Sequence, residues 1–285
     1  MPTNGLRMNI GLITTLILGL ATTATAQADD NEAYAQLLKD RGPTIVTIKL
    51  MIKISGGPAG ADGQETEQET TGVMIDPHGL VLASSTELGG VPPAIRQMMA
   101  QMGGSMTITP KDIKIFVGDD TEGVEATLLA RDSELDLAWL QIKEPGDKTF
   151  AAIDLLEFTR PTIGQRLIAV TRMGKFFDRV QVIDETRVAG RTSKPRELYV
   201  PSVPIGQNFC TPVYTTRGEL VGVTVLQIPD IEGSPNNPLA AASQLGSMDT
   251  VMGGFILPAD AAAKATERAR AAISQPAETP ESPGE

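Results

Sequence analysis

Asn208-Phe209-Cys210-Thr211-Pro212, with Gly218-Glu219-Leu220-Val221-Gly222-Val223 beginning six residues past Pro212, is the stretch on which the reading of this chain turns. Asn and Pro mark a tight turn, and Gly218 marks a second one that closes a hairpin. Leu220–Val223 then reads as an apolar strand interrupted by a glycine. A tight turn backed by such a hairpin presents one side chain on a rigid support. The only cysteine of the chain, Cys210, lies in it.

Outward from this stretch, the two ends of the chain read as segments outside the fold. Arg7 precedes an apolar run of eleven residues, Ile10–Leu20, and Ala24-Thr25-Ala26 offers a small-x-small cleavage site. The run is shorter than the roughly 20 residues that a membrane-spanning helix needs. The expectation is a signal peptide over 1–26, cut after Ala26, and an exported product with no remaining membrane span; an uncleaved anchor is the alternative. Cleavage removes Arg7 and no acidic residue, so the net charge moves from −11 to −12. Phosphate binding needs clustered Lys and Arg, so this balance argues against nucleic acid. One cysteine forms no internal disulfide, and one histidine with one cysteine falls short of the three or four ligands zinc typically takes. Neither a cofactor nor a metal is expected. Residues 274–285, rich in Pro, Glu and Ser, read as a disordered tail.

Between these ends the pattern is one of many short strands. Residues 31–41 predict a short helix, and 27–42 together an N-terminal helix and linker. Thr44–Ile54 alternates and is β-branched, predicting a first strand, whereas Ser55–Thr70 lacks periodicity and reads as a loop. Residues 71–75 and 79–84 flank Asp76-Pro77-His78-Gly79, a hairpin signature. Pro92–Met102 predicts an inserted amphipathic helix whose methionines (Met98, Met99, Met102, with Met106 beyond) pack against the body, with a soft binding surface as the alternative. Further strands are predicted at 113–117, 124–130 and 137–142. After a connector over 143–163 come 165–171, 179–183, 186–189, 197–201, 211–214, 219–227 and 253–257. A loop covers 228–249 and a helix 258–273. Trp139, flanked by Leu137, Ala138 and Leu140, reads as a core residue. No internal repeat of fixed period is present. Two sets of about six strands predict an all-β chain of two antiparallel barrels or sandwiches.

Three segments in order, with a fourth after them, resemble trypsin-like proteases of the HtrA/Deg family. Thr71–Thr86 (TGVMIDPHGLVLASST) is similar to the family's SGVIISPDGYILTNNH, and Thr86 stands where that pattern ends in the catalytic histidine. Asp132–Ile142 resembles D-x-x-x-DLALLKI and keeps the triad acid as Asp136. Gln207–Val223 resembles GNSGGPLVNxxGEVVGI. Matching Pro212 and Gly218 without a gap puts Phe209 at the nucleophile, Cys210 and Thr211 at two glycines, and Gln207 at the glycine that donates to the oxyanion hole. Gly253–Pro258 is similar to GFAIP before the closing helix. The resemblance spans about residues 43–273, leaves no room for a PDZ domain, and implies two six-stranded antiparallel barrels with a C-terminal helix: 43–145 for the first, 146–273 for the second with the helix.

The resemblance implies a degenerate triad. Threonine is no base at neutral pH and phenylalanine has no nucleophilic atom. Losing serine or histidine from such a unit removes on the order of a million-fold in rate. Asp136 is then expected to be structural, accepting hydrogen bonds from Thr86, Ser85 or nearby amides. The rival is an active endopeptidase, of serine type or using Cys210 with His78 as base. His78 lies in a hairpin turn eight residues before Thr86, and eight residues of strand span about 27 Å. The leading expectation is an exported, inactive homologue that binds an envelope or exported protein or peptide, a structural envelope subunit being a further alternative.

Overall fold

The computed structural model describes residues 31–56, 63–101, 105–205, 208–228 and 254–274. Six strands, β1 (Ile45–Gly56), β2 (Glu65–Asp76), β3 (Leu80–Ser84), β4 (Met106–Val117), β5 (Val124–Asp132) and β6 (Leu137–Ile142), close into a barrel in the order β1-β2-β3-β6-β5-β4. Val46, Ile48 and Leu50 alternate along β1 into its interior, where they meet Met74, Val81, Ala83, Ala138 and Leu140. The period of two is the reason one strand face fills this core. A second barrel repeats the same order with β7 (Arg166–Arg172), β8 (Gln181–Thr192), β9 (Leu198–Pro201), β10 (Pro212–Thr215), β11 (Leu220–Val225) and β12 (Phe255–Pro258). Every paired neighbour is antiparallel. The all-β expectation of two six-stranded antiparallel barrels with a C-terminal helix is met.

Strands buried on both faces explain the unbroken apolar runs. On β3, Val81 and Ala83 point into the first barrel, while Leu80 and Leu82 join a core shared with the second barrel. On β7, Leu167 and Ala169 fill the second barrel, and Ile168 and Val170 enter the shared core. That shared core also takes Leu37 from helix α1 (31–41) and Ala262, Ala265 and Ala269 from helix α3 (Ala259–Ser274). Trp139 lies in it as expected, 2% exposed, with its indole N–H donating to Thr266 Oγ1 on α3 at 3.0 Å. The barrels are therefore welded, not merely linked.

Four boundaries differ from expectation. The first half of β2 lay inside the expected loop 55–70; its alternating Glu and Thr residues pair with β1, and Lys49 reaches Glu67 at 2.8 Å. Cross-strand charge pairs hold a polar strand that hydropathy alone reads as loop. β4 begins seven residues before the expected 113 and pairs β1 through Ser55↔Thr107 and Ile54↔Ile108. The expected strands 179–183 and 186–189 are one strand, β8, because Asp184 and Glu185 stay paired with Ala169 and Ile168. Thr44 belongs to a 3-10 turn over Gly42–Thr44 rather than to β1. Helix α2 (Pro93–Gln101) forms where expected. Met102, the signal peptide, most of the 228–249 loop and the tail lie outside the described residues.

Candidate functional site

The site lies where the turn before β10 meets the segment after β3. The turn is fastened to β11 along its length: Cys210 N–H donates to the Thr224 carbonyl at 2.6 Å, Thr211 N–H to Thr224 Oγ1 at 2.9 Å, and Thr224 N–H to the Thr211 carbonyl at 2.9 Å. Thr211 Oγ1 closes the corner by donating to the Asn208 carbonyl at 2.9 Å. Cys210 sits at φ 61, the left-handed region that a side chain normally avoids, at a cost of about 1–2 kcal/mol. Its β11 bonds over-determine the strained position. Phe209 is half-buried, and its ring packs over the glycine ahead of β12: a Cβ on Gly254 would meet Phe209 Cε1 at 3.0 Å. Gln207, expected at the oxyanion position, lies outside the described residues.

Asp136 occupies the turn between β5 and β6, 2% exposed and at φ 57. Its Oδ1 accepts the Thr86 N–H at 2.8 Å and its Oδ2 accepts the Leu226 N–H at 3.0 Å; Ser84 Oγ lies 3.0 Å from each oxygen. Burial raises its pKa, and the donated bonds from Leu226, Thr86 and Ser84 pull the other way. The hydroxyl partner is thus Ser84 and not Ser85. Alternation explains this, since Ser84 ends β3 facing Asp136, while Ser85 N–H donates to the Asp136 carbonyl at 3.1 Å. Leu226 follows β11, so this carboxylate ties the first barrel to the second.

The residue that sequence reading missed is Glu87, one position past Thr86. Half-buried, it reaches across the seam between the barrels: its Oε1 accepts the backbone N–H of Phe209 at 3.0 Å, and its Oε2 accepts the hydroxyl of Thr70 on β2. Burial raises its pKa to about 7, the bonds from Thr70 and Phe209 lower it, and Asp136 raises it again. The signal was a lone acid in an otherwise uncharged stretch, Leu80–Val91, which is mostly buried. While that bond is made, the amide is unavailable to any other acceptor.

The rival pair is not brought together. His78 is an exposed turn residue whose Nδ1 faces Asp76 Oδ1 at 3.0 Å, with 88% of its side chain exposed. Cys210 is 1% exposed; burial pushes its thiol pKa well above the ordinary value, and Asp136 and Glu87 push it further. The thiolate is the nucleophilic form, so this environment suppresses it. Among the described residues no three His, Cys, Asp or Glu side chains converge as a metal site requires.

No protein-family model matches the sequence, and no curated protein does. Among solved structures the chain is similar to the crystal structure of Deg5, with a TM-score of 0.51 and 16% sequence identity over 82% of this chain and 92% of that one. Identity that low speaks to the fold alone. Two barrels of identical strand order, welded by a shared core and closed by a helix, together with that likeness, give this chain the trypsin-like fold.

Proposed function

We propose that the protein is an exported, catalytically inactive trypsin-like homologue that binds a protein or peptide. The observation that carries the reading is the Glu87 carboxyl on the Phe209 amide. Acyl transfer needs a nucleophile, a base and free amide donors at the developing oxyanion. At this turn the aligned side chain is a phenyl ring, the aligned base is a threonine, and the amide of the turn is already bonded to the Glu87 carboxyl. The scaffold of two welded barrels remains, and helix α2, largely exposed, offers surface to a partner. Export rests on the signal-like N-terminus and is part of the proposal.

The test exposes the purified mature protein to a fluorophosphonate, to a thiol-directed probe and to casein. No labelling by the fluorophosphonate and no turnover are expected, for the wild type and Cys210→Ala alike. Casein turnover that disappears in Cys210→Ala would overturn the reading in favour of a cysteine endopeptidase. Turnover that survives Cys210→Ala and is blocked by the fluorophosphonate would overturn it in favour of a serine-type enzyme.

A further inference from the structure

We propose that Glu87 is a proton-operated latch between the two barrels, closed when its carboxyl is protonated and loosened when it ionises. As regulation of that site, this rests on the binding role proposed above, but the opening itself is a property of the free protein.

The geometry is that of a clasp. Glu87 stands on the segment after β3, with its backbone N–H donating to Ser84 Oγ at 3.2 Å, so its root is fixed to the first barrel. Its side chain leaves that barrel and ends on Phe209 of the second. Unlike Asp136, which is sealed at 2% exposure, Glu87 keeps a path to solvent. The two protonation states are not equivalent. A neutral carboxyl accepts the Phe209 N–H through its carbonyl oxygen and donates its own proton to Thr70 Oγ1, which satisfies every group without burying charge. An ionised carboxylate keeps both bonds but is buried beside Asp136, which is also acidic. Desolvation and like-charge repulsion then both favour swinging out into water.

The surrounding groups are few. The turn between β5 and β6 contributes Asp136, and the turn before β10 contributes the buried Cys210 thiol. From β5, Arg131 is committed to the Leu88 carbonyl. From β2 comes Thr70, whose neighbour Glu69 is held by Arg179 at 2.5 Å. Among these described neighbours, only Asp136 repels the ionised Glu87 without an ion-pair partner of its own. When the latch opens, the Phe209 N–H and the Thr70 hydroxyl become free donors at the seam, suited to a peptide carbonyl.

The sign follows from linkage. With an ordinary value of 4.5 when open and about 7 when closed, the latch is tightest below pH 4.5. It loosens as the pH rises through 7 and changes no further above that, by at most about 300-fold. The turn carries its own controls, because Cys210 N–H and Thr211 N–H are held by Thr224 and not by Glu87.

Residue-resolved amide exchange of the ligand-free full chain, at several pH values between 4.5 and 8, tests this. The protection factor of the Phe209 amide is expected to fall by tens- to hundreds-fold towards pH 7 and then level, while those of Cys210 and Thr211 hold. In Glu87→Gln, which keeps both bonds without a titrating proton, Phe209 protection is expected to stay constant. A Phe209 protection factor that does not fall, or that falls in step with Cys210 and Thr211, would overturn the latch, and so would an equal fall in Glu87→Gln. The wild-type contrast within the turn decides the matter even if the variant folds poorly. Because no ligand or substrate is present, a failure here is distinct from a failure of the binding role.

Discussion

Asp136→Ala is expected to destabilise the protein by about 3–5 kcal/mol, the range for removing one partner from a buried charged network. Three donors lose their acceptor at once: Ser84 Oγ, Thr86 N–H and Leu226 N–H. At a position that is 2% exposed the lost acceptor is not replaced by bulk solvent, so the donors are left short of a partner. Alanine must also adopt φ 57, which aspartate tolerates better. The loss is kept to a few kcal/mol, rather than the sum of three bonds, because burial already works against the Asp136 carboxylate. Thr86→Ala, which retains the backbone N–H and gives up only the hydroxyl's interaction with the carboxylate, is expected to lose about 1 kcal/mol. Urea unfolding of the two variants measures the contrast. An Asp136→Ala loss no larger than that of Thr86→Ala would refute a structural role for this acid.

Gly222→Ala should be of similar size for an unrelated reason. A Cβ there would lie 2.0 Å from the Leu257 carbonyl oxygen and 3.2 Å from Ile256 Cγ2. The oxygen belongs to the backbone of β12, which pairs β11 through Gly222↔Pro258 and Val223↔Leu257. No rotamer change moves it, so the two strands must separate and the ladder that closes the second barrel opens. Overpacking of this kind costs about 3 kcal/mol or more, and for a chain of this length that lowers the midpoint by roughly 10 °C. Gly174→Ala is the control: nothing lies within 4 Å of its Cβ, and its φ of −69 suits any residue. Its midpoint is expected to stay within about 2 °C of wild type. Calorimetry of the two variants reads the difference directly. Equal midpoints would mean that β11 and β12 approach less closely than described.

How far the fold was legible depended on how each strand is buried. β3, β6 and β11 announce themselves because they are covered on both faces, so apolar residues run unbroken. The first half of β2 stayed hidden because its Glu and Thr residues owe their strand conformation to pairing with β1, with lysines on β1 and β4 facing two of its glutamates. Such pairing is a property of two strands together, and no window on one of them contains it. The split placed within β8 has the same origin: acidic residues Asp184 and Glu185 read as a turn, yet they hold register against β7.

The site divides in the same way. The sequence by itself determined which side chains stand at the turn and after β3, namely Phe209, Cys210 and Thr86, because turn chemistry and strand order fix these positions locally. Through the family resemblance it also marked Asp136, as the retained triad acid. Only the tertiary structure decided what these groups touch. Ser84 rather than Ser85 meets Asp136 because the end of β3 sets which face each serine presents. Glu87 meets Phe209, 122 residues away, because two separately closed barrels are pressed together by a shared core. Contacts across that seam depend on how two finished domains dock, and local sequence carries no record of docking.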